Sequence, residues 1–169
     1  MNKVPPGDYD VIVDSSSVGD DLYIDAIRSG DIDVLAVGIQ VGEEAPGSLD
    51  IILKANGGTI EFTVTSDTGE AVRQAQVTLV PDTPRQQQVP LYRHCTTEAK
   101  GSCTITGIRP GEYHAFAFPA VIGMDYRDPD ALEPFMKYAT PARIGEGERL
   151  QFGLKSAPSE EADDQGAVR

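Results

Sequence analysis

The stretch IRPGEYHA at residues 108–115 has a near copy, VPPGDYDV, at residues 4–11. Each copy contains Pro-Gly, an acid and a tyrosine, followed by a run of residues typical of a strand. Proline fixes φ and glycine can adopt a positive φ, so the pair reverses the chain sharply. The tyrosines, Tyr9 and Tyr113, can then bury their rings and hydrogen-bond to the backbone. The repeated motif therefore predicts two related β modules and says more about architecture than about activity.

The similarity continues beyond the motif. Residues 37–42 and 48–53 resemble residues 142–145 and 149–154, each pair giving a strand, a glycine-containing turn and a closing strand. Residues 4–55 thus match the second half of the segment 58–155, and no counterpart of residues 58–107 precedes Val4. We therefore predict a partial β-sandwich module at 1–57, a complete module at 58–155 and a disordered acidic tail at 156–169. Because a partial sandwich exposes edge strands, residues 1–57 must fold as a partial sheet or lean on the second module.

Short runs of alternating apolar and polar residues, separated by turn residues, favour an all-β sandwich. The predicted strands are 58–65, 76–80, 91–96, 103–105, 113–118 and 150–154. Residues 128–138 break the alternation and predict a short helix or two turns, with Asp128 as N-cap and Pro129 at the first helical position. We expect this helix to cover one end of the sandwich.

Residues 58–155 resemble the carboxypeptidase regulatory-like domain, a transthyretin-like (prealbumin-like) sandwich of about seven strands near the starch-binding-like superfamily. The resemblance rests on GTIEFTV at 58–64, TGEAV at 68–72, AQVTL at 75–79, TTEAKGSC at 96–103 and IRPGEY at 108–113. Glu98 stands where the family has Asp, and Cys103 where it has Phe. The resemblance implies an immunoglobulin-like or prealbumin-like fold that serves as spacer, adhesive repeat or accessory module. It keeps carbohydrate binding as an alternative.

The chain is acidic, with 27 acidic and 14 basic residues and a net charge of −13. This charge disfavours nucleic acid and anionic lipid as partners. No apolar run approaches the roughly 20 residues that span a bilayer, and the first residues do not read as a signal peptide. A complete protein of this sequence is expected in the cytoplasm. A piece of a longer protein is expected to be extracellular, periplasmic or outer-membrane-associated.

The two cysteines, Cys95 and Cys103, flank one predicted hairpin turn. Simple pairing, with Thr97 opposite Ser102, places them on opposite faces, so a disulfide requires a bulge. Two buried thiols are the alternative. A disulfide would favour an exported protein, and two cysteines at this spacing do not make a zinc site.

The sequence predicts no catalytic residue, cofactor or metal site. His94 and His114 are the only histidines, and no Gly-x-Ser-x-Gly accompanies them. His114 follows Tyr113 in a strand and is expected to face solvent. Two groups of acids lack the pattern of a calcium loop and are interpreted as solvated. They are Asp20, Asp21 and Asp25, and Asp125, Asp128 and Asp130.

Tyr92, Tyr126 and Tyr138 are the candidate carbohydrate contacts, as a stacking platform, although packing in the core or at its rim is the favoured interpretation of these tyrosines. The functional hypothesis is a non-catalytic module of a larger exported bacterial protein, acting as spacer or protein-interaction unit. Its expected partners are another protein or neighbouring modules of the same polypeptide. The alternative is a carbohydrate-binding module whose ligand is a polysaccharide.

Overall fold

The computed structural model describes residues 4–9, 11, 13, 18–42, 47–82, 88, 91–119, 126 and 128–158. Its strands are β1 (Gly7–Tyr9), β2 (Tyr23–Ser29), β3 (Ile32–Asp33), β4 (Ile39–Val41), β5 (Leu49–Lys54), β6 (Gly58–Thr65), β7 (Gln76–Pro81), β8 (Arg93–Thr96), β9 (Ser102–Ile108), β10 (Gly111–Phe118), β11 (Thr140–Ile144) and β12 (Arg149–Lys155). Its helices are α1 (Val34–Val37), α2 (Pro129–Leu132) and a 3-10 helix (Glu133–Tyr138). Among the described residues, no helix has the length and apolar character that crossing a membrane requires.

Strands β6 to β12 form a sandwich of two sheets. One sheet has the order β11-β10-β7-β8 and the other has the order β12-β6-β9. The first and last strands, β6 and β12, pair in parallel, whereas all other neighbours in these sheets are antiparallel. The prediction of an all-β sandwich of about seven strands is confirmed.

The sandwich core follows the alternation read from the sequence. On β6 the side chains of Ile60, Phe62 and Val64 are fully buried, whereas Glu61 and Thr63 between them are exposed. These inward residues pack with apolar side chains of β7 and β10 in one cluster. Burial of such a cluster is the main favourable contribution to folding.

Strand β10 is buried on both faces. Tyr113 and Ala115 point into the sandwich core, whereas Phe116 and Phe118 pack on the opposite face with Leu132 of α2. Asp128 caps α2 through its Oδ1, which accepts a hydrogen bond of 3.0 Å from the Asp130 backbone N–H, as predicted. The predicted position of the helix at one end of the sandwich is wrong. It covers the outer face of the four-stranded sheet, because the outward phenylalanines make that face apolar.

The two copies of the Pro-Gly motif form the same corner. Tyr9 Oη donates to the carbonyl of Pro5 at 3.0 Å, and Tyr113 Oη donates to that of Arg109 at 2.7 Å, four residues back in each case. Each motif also starts a strand pair of the same register. Opposite residues are Gly7–Val41 and Tyr9–Ile39 in β1–β4, and Gly111–Ile144 and Tyr113–Ala142 in β10–β11. The repeat is therefore structural as well as sequential, while the division of the chain at residue 57 stays a prediction.

The N-terminal strands form two small sheets, β1-β4 and β3-β2-β5, around a cluster that includes Ile24, Ile27, Val34 and Leu35. This part lies against the sandwich. The backbone N–H of Gly57 donates to the carbonyl of Asp21 at 3.0 Å.

The C-terminal end of β12 continues along β10. Ser156 forms a parallel bridge with Ala117, and the backbone N–H of Ala157 donates to the Ala117 carbonyl at 2.7 Å. These two residues of the predicted tail are therefore attached to the sandwich. The acidic stretch 159–169 lies outside the described residues.

Candidate functional site

The three tyrosines chosen from the sequence lie in one cluster. Tyr92, Tyr126 and Tyr138 are partly buried against the apolar residues that cover the outer face of the four-stranded sheet. Tyr92 Oη donates to the backbone carbonyl of Tyr126 at 3.2 Å, and the rings of Tyr126 and Phe118 are 6.2 Å apart. We call the three tyrosines and Phe118 the aromatic cover. Because its rings pack on the sheet, it resembles a small core more than an open stacking platform.

A cavity of about 370 Å³ on the same outer face is lined by β7, β10 and the helical segment. We call it the outer cavity. His114 is half-buried in its wall, and Asp130, Glu133 and Met136 also line the cavity. His114 thus faces away from the core as predicted, but into this cavity. Carboxylates and an imidazole beside apolar walls can hydrogen-bond to the hydroxyls or amides of a ligand.

Cys95 and Cys103 form a disulfide in the structure, with the sulfurs 2.02 Å and the Cα atoms 6.0 Å apart. Their strands belong to different sheets, because β8 is the edge of the four-stranded sheet and β9 the edge of the three-stranded sheet. The expected hairpin with Thr97 opposite Ser102 is therefore wrong. Thr97 is hydrogen-bonded to the segment that precedes β7. Its Oγ1 accepts from Ala75 N–H and donates to the Val72 carbonyl. The bond consequently links the two sheets at one edge of the sandwich.

Further along the same edge lies a second cavity, of about 300 Å³, which we call the edge cavity. Arg93 of β8 lines it while being only 9% exposed, and its Nη2 donates to the Gly107 carbonyl at 3.1 Å. Burial lowers the pKa of Arg93, and the charge of Tyr113 opposes this effect. The other walls include His94, Thr104, Thr106 and the turn at residues 18–22.

Sequence reasoning missed Arg93. The available signal was the alternation of β8, in which Arg93 shares a face with Cys95 two residues later. An arginine on the inward face of a strand is unusual enough to mark a site.

In the described part of the chain the histidines and acids lie in several separate places. His94 and His114 line different cavities, and no group of three His, Cys, Asp or Glu side chains there is placed to hold a metal ion. Asp20 and Asp21 are exposed, as is Asp130. Asp25 instead joins the two parts of the chain, lying 2.9 Å from Lys54 Nζ and 3.8 Å from Arg109 Nη2. The hydrogen bond and the negative charge of Asp25 raise the pKa of Lys54. Asp125 lies outside the described residues.

Strand β5 carries three exposed apolar side chains, which we call the β5 stripe. Leu49, Ile51 and Leu53 are 42%, 49% and 42% exposed. The corresponding residues of β12 pack into the sandwich core, where β12 lies beside β6. They are Leu150, Phe152 and Leu154. β5 instead pairs with β2 and forms an edge of its sheet, so the sequence positions that face a core in one copy face solvent in the other.

Solved structures resemble this chain at low identity. A Pseudomonas aeruginosa protein provisionally described as carbohydrate binding is 14% identical, with a TM-score of 0.42 over 59% of this chain and 88% of that chain. The group B streptococcus pilus 2b backbone protein is 16% identical, with a TM-score of 0.40 over 73% of this chain and 48% of that chain. Catechol 1,2-dioxygenase from Acinetobacter sp. ADP1 is 15% identical, with a TM-score of 0.35 over 68% of this chain and 57% of that chain.

The chain thus spans about half the length of the pilus protein and of the dioxygenase. No protein-family model matches the chain, and no curated protein matches it. Because these structures differ in role and all are below 25% identical, no activity of this chain follows from them.

Proposed function

We propose that the chain is a non-catalytic β-sandwich module of the carboxypeptidase regulatory-like type, acting as spacer or protein-interaction unit of a larger exported bacterial protein. The observation that carries the proposal is the β5 stripe. Its partner is a β-strand with alternating apolar side chains, of the kind that β6 supplies to β12.

The stripe has the properties of an interaction surface. Contiguous exposed apolar side chains on a soluble protein mark contacts with other molecules. Leu49, Ile51 and Leu53 alternate along a strand that ends its sheet among the described strands, so backbone groups and side chains are offered together. An added strand satisfies the backbone groups through hydrogen bonds and covers alternate side chains. In the second copy, β6 lies beside the corresponding strand and supplies Ile60, Phe62 and Val64 to the same core.

The spacer role draws on the rigidity of the sandwich. The disulfide joins its two sheets at one edge, and parallel pairing of β6 with β12 brings the first and last strands together. Structural disulfides persist in oxidising compartments, which supports the proposed export of the protein.

The test is titration of a fluorescent peptide carrying residues 58–65, flanked by lysines for solubility, against the folded protein. We expect saturable binding, which Ile51→Lys weakens at least tenfold because a charge replaces the centre of the stripe. Gln40→Lys, the same charge change at an exposed residue of β4, is the matched control and should retain affinity. A scrambled peptide should not bind.

Equal binding by the Ile51→Lys and Gln40→Lys variants, or none by the unsubstituted protein, would contradict the proposal. Dimerisation abolished by Ile51→Lys, measured by sedimentation, would assign the stripe to a second copy instead of a strand of a different protein.

A carbohydrate-binding module is the second candidate, and the observation that favours it is the aromatic cover beside the outer cavity. Affinity electrophoresis in gels containing soluble glucan tests it. Retardation that is lost in Tyr138→Ala but kept in Tyr9→Ala, an exposed tyrosine elsewhere, would overturn the purely structural role. Unchanged mobility of all three proteins on glucan is expected if the tyrosines only pack.

A hydrolase is the class that the proposal excludes. Esterase or peptidase activity of the pure protein that disappears in His94→Ala or His114→Ala would contradict a non-catalytic role.

A further inference from the structure

The edge cavity is lined by a buried cationic side chain, that of Arg93. We propose that it binds a small hydroxylated carboxylate, with Arg93 as the group that holds the carboxylate. The cavity lies between β8, β9 and the turn at residues 18–22, and its described lining residues belong to neither the β5 stripe nor the aromatic cover.

The first step is the cost of burying Arg93. A guanidinium stays charged in proteins, and removing it from water is unfavourable unless an anion or enough hydrogen-bond acceptors replace the water. Arg93 is nine-tenths buried, yet no carboxylate among the described residues lies within ion-pair distance of it. An anion bound in the edge cavity would supply the countercharge that the described carboxylates do not.

The second step is the hydrogen-bond capacity that remains. A guanidinium has five N–H donors in a planar fork. Within the described residues, the guanidinium of Arg93 makes one hydrogen bond, from Nη2 to the Gly107 carbonyl. The other donors are available to the cavity that Arg93 lines, and a carboxylate matches a planar fork with two parallel hydrogen bonds.

The third step is the character of the other walls. Thr104 and Thr106 are outward residues of β9, and they line the cavity with His94 of β8. Their hydroxyl and imidazole groups can donate and accept, which suits hydroxyls on the ligand. The volume of about 300 Å³ lies at the small end for ligand pockets, so a small molecule fits better than a peptide.

The charges of Arg93 and Asp20 determine the orientation of the ligand in the edge cavity. Asp20, on the turn at residues 18–22, is the acidic side chain among the described lining residues. Its carboxylate repels an anion, so the ligand carboxylate faces Arg93 and its hydroxyls face Asp20. Since the whole chain carries a net charge of −13, weak nonspecific attraction of anions elsewhere on the surface is disfavoured.

The experiment is a titration of the full chain with D-gluconate, followed by NMR, with sorbitol as the neutral control of the same carbon skeleton. Sodium chloride keeps the ionic strength constant. We expect saturable shifts of the Thr104, Thr106 and Gly107 amide signals with gluconate and none with sorbitol. Equal effects of the two compounds, or no shift at these amides, would overturn the proposal.

Three variants separate binding from folding. Arg93→Met removes the charge and should abolish the gluconate effect, whereas Arg93→Lys keeps the charge without the fork and should weaken binding about tenfold. Asp20→Asn removes repulsion and should tighten binding several-fold, a gain that a structural role of Arg93 does not produce. Arg143→Lys, at an exposed residue of β11, is the control. Unchanged affinity in both Arg93→Lys and Asp20→Asn would contradict the site even if Arg93→Met fails to fold.

Discussion

At the scale of single residues, the two corner tyrosines show that the same motif can contribute differently to stability in different surroundings. Both donate a hydrogen bond to a carbonyl four residues back. Tyr113 is 2% exposed within the sandwich core, whereas Tyr9 is 36% exposed. The geometry of the turn therefore comes from the local sequence, while the energy gained from the ring comes from what packs around it.

Tyr113→Phe should lower the free energy of unfolding by about 1 kcal/mol, because it removes the buried hydroxyl that donates to the Arg109 carbonyl and leaves that carbonyl without this donor. Tyr9→Phe, the same change in the other copy, should cost less than half as much, since water replaces the lost bond. Urea unfolding of both variants measures the difference. Equal losses would mean that the two corners contribute alike, contrary to their exposure.

At the scale of elements, the disulfide joins two edge strands that share no hydrogen-bond ladder. β8 pairs with β7 and β9 with β6, so the turn between them changes sheets. Glu98 N–H donates to the Ser102 carbonyl at 2.9 Å and Gly101 N–H to the Glu98 carbonyl at 2.9 Å, which closes this turn. Backbone hydrogen bonds connect β8 and β9 only at the turn, and the disulfide adds a covalent link between the two strands.

Cys95→Ser with Cys103→Ser should lower the free energy of unfolding by about 2.5 kcal/mol, the loop-closure value for a bridge separated by 8 residues. Chemical unfolding with and without dithiothreitol checks this. The reductant should destabilise the unsubstituted protein by the same amount and leave the double variant unchanged. Free thiols in the purified protein, detected by mass after iodoacetamide, would contradict the bonded state.

At the scale of the whole molecule, the sequence predicts the strands well and their neighbours less well. Alternation identifies inward residues such as Ile60 and Phe62 because side-chain direction is a local property of a strand. It does not tell which sheet a strand joins, so the sequence predicts a hairpin where the β8–β9 turn passes from one sheet to the other. The position of the helical segment and the burial of Arg93 escape prediction for the same reason. Each is decided by contacts with parts of the chain that only tertiary packing brings together.

The junction between the N-terminal sheets and the sandwich is also a tertiary property, and it depends on a close approach at Gly107. This residue has φ +61°, and a Cβ there would lie 2.6 Å from the Leu22 carbonyl oxygen. Gly147 has nearly the same φ, +64°, but a Cβ there would meet nothing closer than Asn56 Cβ at 3.7 Å. The two glycines therefore differ in available space and share the same backbone preference.

Gly147→Ala should cost about 1 kcal/mol, the penalty for an L-residue in the left-handed region. Gly107→Ala should cost at least twice as much, because residues 20–22 must also move away from the sandwich. Hydrogen exchange locates the extra loss: amides of β2 and β5 should exchange faster in Gly107→Ala, with β6 and β7 affected no more than in Gly147→Ala. Equal exchange in β2 for the two variants would mean that the N-terminal sheets do not depend on this contact for their stability.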